Sequence, residues 1–365
     1  MPSKPRFTAE HTLATPRGFS VLKNLLVLVI LLVVLFAGVE IMARTSFAER
    51  LLPLKSYGNY HTQFEIKWQK LEEFARDNDG VDVILLGNSM VNTGIDPQIL
   101  SQQLSGSDQP LRIFNFGVEG LTVVPMADLA SLLVDTYHPK TILYFTEMRD
   151  YLAGNGDEVA QNFLSSDWLQ YRLVKRGFLG WLEDHSAALQ RLLPLRYWAR
   201  ANFPDTWLKN MRRYENTHPD GYEPEIQVSD FTGKLPDPND PNDQKLFAMY
   251  GNYAIDAARL EKLRSLIVLR EKGTRIVVAE FPAYPGFYTY FGGEQVHADF
   301  VSAITDYTRE QGGMFLAPIS PDLIPLSGRA DDHHLNEIGA KLYSGLLAQQ
   351  LNILCVVQGI CLEGK

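Results

Sequence analysis

Residues 25–39 read LLVLVILLVVLFAGV, with no charge and no proline. Extended to 21–42 the run takes in Lys23 and Glu40, which can reach the two polar interfaces. About 20 such residues cross the roughly 30 Å of a bilayer's hydrocarbon. A soluble core helix is not this uniformly aliphatic. A cleaved leader has a shorter apolar stretch and a small-residue cleavage site, and no A-x-A follows here. Residues 21–43 are therefore read as an uncleaved anchor. Lys4, Arg6, Arg17 and Lys23 precede it, while Arg44 and Arg50 follow among Glu40 and Glu49. The positive-inside rule puts residues 1–20 in the cytoplasm and everything after about residue 45 outside, which is the periplasm in a Gram-negative cell.

The remaining chain has the composition of a globular protein. Of 365 residues 45% are apolar and 21% charged, and the formal net charge is -9. That acidity, with no long Lys/Arg run after the first fifty residues, argues against nucleic acid as a partner. Cys355 and Cys361 are the two cysteines. Their spacing permits a disulfide or two unpaired thiols, and it offers no metal site.

Short apolar runs at 81–86, 112–116, 141–146, 275–279 and 314–317 read as strands. Helical patterns at 126–137, 252–270, 300–310 and 337–351 alternate with them. This alternation predicts a three-layer α/β domain over 81–351, with a parallel sheet covered on both faces. Residues 44–80 read as a linker and a polar helix, and 352–365 as a C-terminal tail. Between the third and fourth strands lies an insertion of about 151–250. Its first part is rich in Trp, Leu and Arg and reads as helical. Its second part is dense in Pro, Asp, Asn and Gly and reads as a long loop. The insertion is expected to cap the site.

Serine acyl chemistry needs a nucleophile on a tight turn, a histidine to take its proton, a carboxylate to orient that histidine and donors for the oxyanion. Ser89 lies in LLGNSMVNTGIDP, between a buried strand and a helix that Asp96-Pro97 would open. Ligands of open α/β sheets sit at this strand end. Asp331 stands three residues before His334 in DDHHLNEIGAKLY, directly before a helix. His333 is read as a packing or substrate-facing neighbour. Asp331, Asp332, His333 and His334 could suggest a metal, but no further ligand cluster accompanies them, so neither metal nor cofactor is expected. Glu280 could line the pocket or be structural. Tyr284, Phe287, Tyr288, Tyr290 and Phe291 read as a packed loop, with stacking on sugar rings as the alternative.

These segments resemble the SGNH/GDSL hydrolase superfamily. LLGNSMVNTG is similar to its first block, with Asn88 where aspartate is commonest, and DDHHLNEIGAKLY to its last, D-x-x-H-L-N-x-x-G-A. The later glycine and the Ile-Asp-Pro that follows look like the branch near envelope-polysaccharide acetylation and teichoic-acid D-alanine transfer proteins. The resemblance spans about residues 80–350 and implies a flavodoxin-like sheet. It makes Ser89 the nucleophile, His334 the base and Asp331 its orienting acid. It draws oxyanion donors from the Ser89 N–H and from Gly120 in NFGVEG, with Gly117 as the fallback. The third block departs: Glu147-Met148-Arg149-Asp150 stands where G-x-N-D is usual, so Arg149 stands in for the asparagine that the family uses as a side-chain oxyanion donor, and Asn155 is a more distant candidate. The function implied is O-acyl transfer, of acetyl above all, to a polysaccharide or other envelope glycan, with a membrane partner delivering the acyl group. An esterase with the same triad is the alternative, and a non-catalytic glycan-binding or assembly protein a third reading.

Overall fold

A computed structural model of the chain describes residues 17–104, 110–196, 198–225, 230–358 and 362. Lys4, Arg6 and Cys361 lie outside them; Cys355 is disulfide-bonded.

Among the described residues, five parallel strands form one sheet: β1 (Val83–Gly87), β2 (Ile113–Gly117), β3 (Thr141–Thr146), β4 (Arg275–Glu280) and β5 (Met314–Phe315). Their order is β2-β1-β3-β4-β5, the flavodoxin-like arrangement. Each strand side chain alternates between faces. Ile84, Leu86, Phe114, Phe116, Ile142, Tyr144, Ile276 and Val278 enter one apolar core. Val83, Leu85, Ile113, Leu143, Phe145, Val277 and Ala279 enter the other. Burial on both faces is why the strands read as unbroken apolar runs.

The first core is closed by helices Thr62–Asp77, Val123–Tyr137, Ala257–Ile267 and Glu294–Glu310, through Trp68, Leu129, Leu263 and Ile304 among others. The second is closed by Ser89–Gly94, Pro97–Leu104 and Glu337–Gln358. Helix 257–267 starts later than its apolar pattern suggests. Asp256 caps it by accepting from the N–H groups of Ala258 and Arg259, at 2.8 and 3.1 Å.

Part of the insertion packs on the helix Thr62–Asp77, and Glu223 bonds to Asn92 in the helix Ser89–Gly94. Trp168 and Phe163 pack on Phe64 and Trp68 of the helix Thr62–Asp77. Its second part is not all loop, since Pro241–Tyr250 is a helix capped by Asp240. Among the described residues of the insertion, Asn155, Gly156 and Tyr250, at its two ends, line the cavity beside Ser89.

One long helix, Arg17–Ala43, precedes this domain. Its stretch Val21–Ala43 is long and apolar enough to cross a membrane, and none of its most apolar window is buried against the protein.

Candidate active site

Three strand ends converge at the switch point where chain order reverses between β1 and β3. Asn88 and Ser89 follow β1, Gly120, Leu121 and Thr122 follow β2, and Glu147 and Arg149 follow β3. With Asn155, Gly156 and Tyr250 they line a cavity of about 140 Å³.

Ser89 is the first residue of a short helix, and Asn88 is its cap. The Asn88 Oδ1 accepts from the Met90 N–H at 2.9 Å. Asn115 holds the other end, its Nδ2 donating to the carbonyls of Val91 and Ile95 at 2.7 and 2.8 Å. Gly117 lets the helix approach β2, since a Cβ there would stand 2.2 Å from the Asn92 nitrogen. Gly120 has φ +69° and open space around it, and it lines the cavity whereas Gly117 does not.

The other half of the site is the turn before the helix Glu337–Gln358. Arg329 and Leu335 form an antiparallel bridge that closes residues 330–334 into a loop. Asn336 caps the helix by accepting from Ile338 and Gly339 N–H, at 3.0 and 3.2 Å. Gly339 lies against the Gly328 backbone, where a Cβ would stand 1.9 Å from its carbonyl oxygen. The Asn and Gly of the last sequence block are thus the means of folding this loop.

The loop brings His334 to Ser89 across 245 residues of chain, Nε2 to Oγ 2.8 Å. His334 Nδ1 lies 2.8 Å from Asp331 Oδ2, and Asp331 Oδ1 accepts from the His333 and His334 N–H groups at 2.9 and 2.7 Å. Burial raises the Asp331 pKa, but the bond to His334 and the two imidazoles outweigh it, so the carboxyl is held well below the usual range. An ionised acceptor there requires the proton on Nδ1. Nε2 is then the acceptor facing the Ser89 hydroxyl.

His333 does not reach the serine. Its ring stacks on Phe287 at 5.1 Å, and its Nδ1 is 2.6 Å from Asp332 Oδ1. Burial and Arg149 push its pKa down against the pull of Asp332. Among the described residues, Asp331, His333 and His334 are the group whose ligand atoms converge tightly enough to hold a metal. Both Nδ1 atoms already face carboxylates, and His334 Nε2 faces Ser89. Tyr284, Phe287, Tyr288, Tyr290 and Phe291 form a packed loop, all but Tyr284 buried, with Phe287 beneath both His333 and Arg149. Glu280 faces His297 Nε2 at 2.6 Å instead of the cavity.

Glu147 has no role in the reading from sequence, yet it is the cavity's buried carboxylate. Arg149 grips it with Nε to Oε2 at 2.8 Å and Nη2 to Oε1 at 2.7 Å. Asn88 Nδ2 donates to the same Oε1. Burial disfavours the Arg149 charge, and Glu147 more than compensates, holding the guanidinium above its ordinary range. Asn155 Nδ2 donates to the Arg149 carbonyl at 2.9 Å. Asp150, where the third block has its aspartate, is buried and accepts from Tyr144, Thr146 and the Glu147 N–H. A Glu two residues before an Arg directly after a buried strand was the available signal for this pair.

No family model matches the chain, and no curated protein matches it. Solved structures do. One is the lipase/acylhydrolase from Enterococcus faecalis, at 9% identity and TM-score 0.35, covering 74% of this chain and 95% of that one. Another is a gut microbial diltiazem-metabolizing enzyme, at 12% identity and TM-score 0.34, covering 74% of this chain and 47% of that one. In fold the chain is SGNH-hydrolase-like. That rests on its own strand order, with the serine after β1 and the histidine before the last helix.

Proposed function

We propose that the chain is a membrane-anchored serine acyl-transfer protein working outside the cytoplasm, with Ser89 as nucleophile. The observation that carries this is the hydrogen-bonded chain from Ser89 through His334 to Asp331. As Oγ attacks an ester carbonyl, His334 Nε2 takes its proton. Asp331 stabilises the imidazolium, and the proton returns to the departing alcohol oxygen. The acyl group is left on Ser89. An acceptor hydroxyl then enters and gives its proton to His334 as its oxygen attacks the acyl carbon; the bond to Ser89 breaks, His334 returns the proton to Oγ, and the acceptor leaves acylated. The N–H groups of Ser89 and Gly120 are the proposed oxyanion donors.

The cavity favours a short acyl group. At about 140 Å³ it falls below the roughly 300–1,000 Å³ of pockets that bury drug-sized ligands, and it has room for an acetyl group. The helix Val21–Ala43 supports tethering, which suits transfer between a membrane-delivered donor and an envelope glycan. The esterase reading keeps every residue in its role, with water as the acceptor.

The test uses the full chain in detergent with an activated acetyl ester, with and without a glycan acceptor, beside Ser89→Ala. Acetylated acceptor formed by the parent alone supports transfer. Turnover indifferent to acceptor makes the protein an esterase, and turnover that survives Ser89→Ala removes Ser89 as nucleophile.

A further inference from the structure

The one acid in the apolar span, Glu40, has its partners outside the span. Its carboxylate accepts from the Ser186 hydroxyl at 2.8 Å and from the Ala187 and Ala188 N–H groups at 2.8 and 3.2 Å. Glu40 thereby caps the helix Ala187–Leu192, where a negative charge is favoured. One turn on, Arg44 donates to the His185 carbonyl at 3.1 Å. From the other side Arg191 donates to the carbonyls of Ala43 and Leu52, at 2.8 and 2.7 Å. The end of the span is thus locked to residues 185–191 at several points.

This fixes a height. Glu40 stands three residues before Ala43, about 4.5 Å at 1.5 Å per residue. Whatever touches Glu40 lies within one helical turn of the end of the span. The helices meeting there carry exposed apolar side chains: Phe47 and Leu51 on Ser46–Leu51, Phe178, Leu179 and Trp181 on Phe178–His185, and Leu192. Phe178, Trp181 and His185 form a ladder of stacked rings along one helix face, with centroids 5.8 and 5.1 Å apart. Phe178 is 76% exposed. Lys175 and Arg176, both exposed, directly precede this helix.

We propose that this collar is a second membrane contact, with Phe178, Leu179 and Trp181 seated among the lipid headgroups and upper acyl carbons. The inference rests on the reading of Val21–Ala43 as a span. Aromatic rings with flanking cations are what that layer selects. The bilayer is the occupant because the collar is continuous with the span, and the helix Phe178–His185 is tied at His185 to Arg44, the residue next after the span. Docking there fixes the orientation of the domain above the membrane, which a single flexible tether would leave free.

Trp181 is the probe. The full chain and Trp181→Phe are placed in lipid nanodiscs, one copy per disc, with and without phosphatidylcholine brominated on acyl carbons near the headgroup. The emission difference between the two proteins isolates Trp181 from the other four tryptophans. Melting temperatures are compared to confirm equal folding. The expected result is a blue-shifted Trp181 emission that the brominated lipid quenches. Unquenched Trp181 emission in a chain that stays with the bilayer through carbonate washing overturns the inference and leaves the span intact. A chain removed by carbonate overturns the span reading itself. Quenching seen only with two copies per disc overturns the inference in favour of a dimer contact.

Discussion

Arg149 grips Glu147 at two points, 2.7 and 2.8 Å, beside Ser89. The sequence resemblance implies an oxyanion-donating asparagine at this position, whereas the Arg149 guanidinium is turned onto a carboxylate that also accepts from Asn88. Removing Arg149 leaves Glu147 buried without its counter-charge, a loss on the order of 3 kcal/mol for a buried pair. Arg149→Met is therefore expected to lower thermal stability markedly while reducing kcat by less than the ~10²-fold that loss of an oxyanion donor brings. Kinetics and melting on the same preparation decide it. A kcat loss of ~10² or more with an unchanged melting temperature makes Arg149 a direct donor.

His334 reaches both Ser89 and Asp331, and in the proposed mechanism the three groups act as a unit. Ser89→Ala and His334→Ala are each expected to cost at least ~10³-fold in kcat, and the double variant no more than either alone. Activity is read as release from an activated acetyl ester by the full chain. Additive losses in the double variant would mean that the two residues work separately.

The parts of this site that were legible in the sequence are those whose residue types have local reasons. Asn336 and Gly339 fold the loop that carries His334, and the Asp331–His334 spacing is set within that loop. Strand positions were readable because burial on both faces leaves no alternation to misread. What escaped depends on contacts between distant segments. Glu147 has meaning only against Asn88 and Arg149, and Asn115 only against the carbonyls of Val91 and Ile95. The insertion looked like a cap because its composition is irregular. Phe163 and Trp168 of the insertion complete the core around Phe64 and Trp68, and its sequence holds no sign of those partners.

Gly117 and Gly120 separate packing from conformation. At Gly117 a Cβ would meet the backbone of the Ser89 helix at 2.2 Å, with no flexible side chain to give way. At Gly120 the added methyl meets nothing, and the cost is the left-handed φ of +69°, about 1–2 kcal/mol. Gly117→Ala is expected to displace Ser89 and lose both stability and turnover. Gly120→Ala is expected to lower the melting temperature modestly and keep most of its turnover. The reverse ranking would mean that the helix–strand contact is not what holds Ser89.

Lys67 gives the fold a pH dependence of its own. Its ammonium is fully buried and donates to the carbonyls of Asn115 and Gly221. Burial pushes its pKa down to about 7, against the pull of Glu223, Asp220 and Glu119, with Arg213 adding to the depression. In the unfolded chain the same lysine titrates near 10.4. Between about pH 7 and 10 the unfolded state therefore binds more protons than the folded one, and stability rises with pH across that window. Glu65 and Glu183, pushed up to about 7 by burial, act mainly below it. Lys67→Met removes the group, so the stability difference between parent and variant should move in the parent's favour from pH 7 to 9. The expected change is on the order of 1–2 kcal/mol, read from unfolding in detergent at each pH. A difference that stays flat over those two units would place the Lys67 pKa outside the window and leave its two carbonyl bonds as its only contribution.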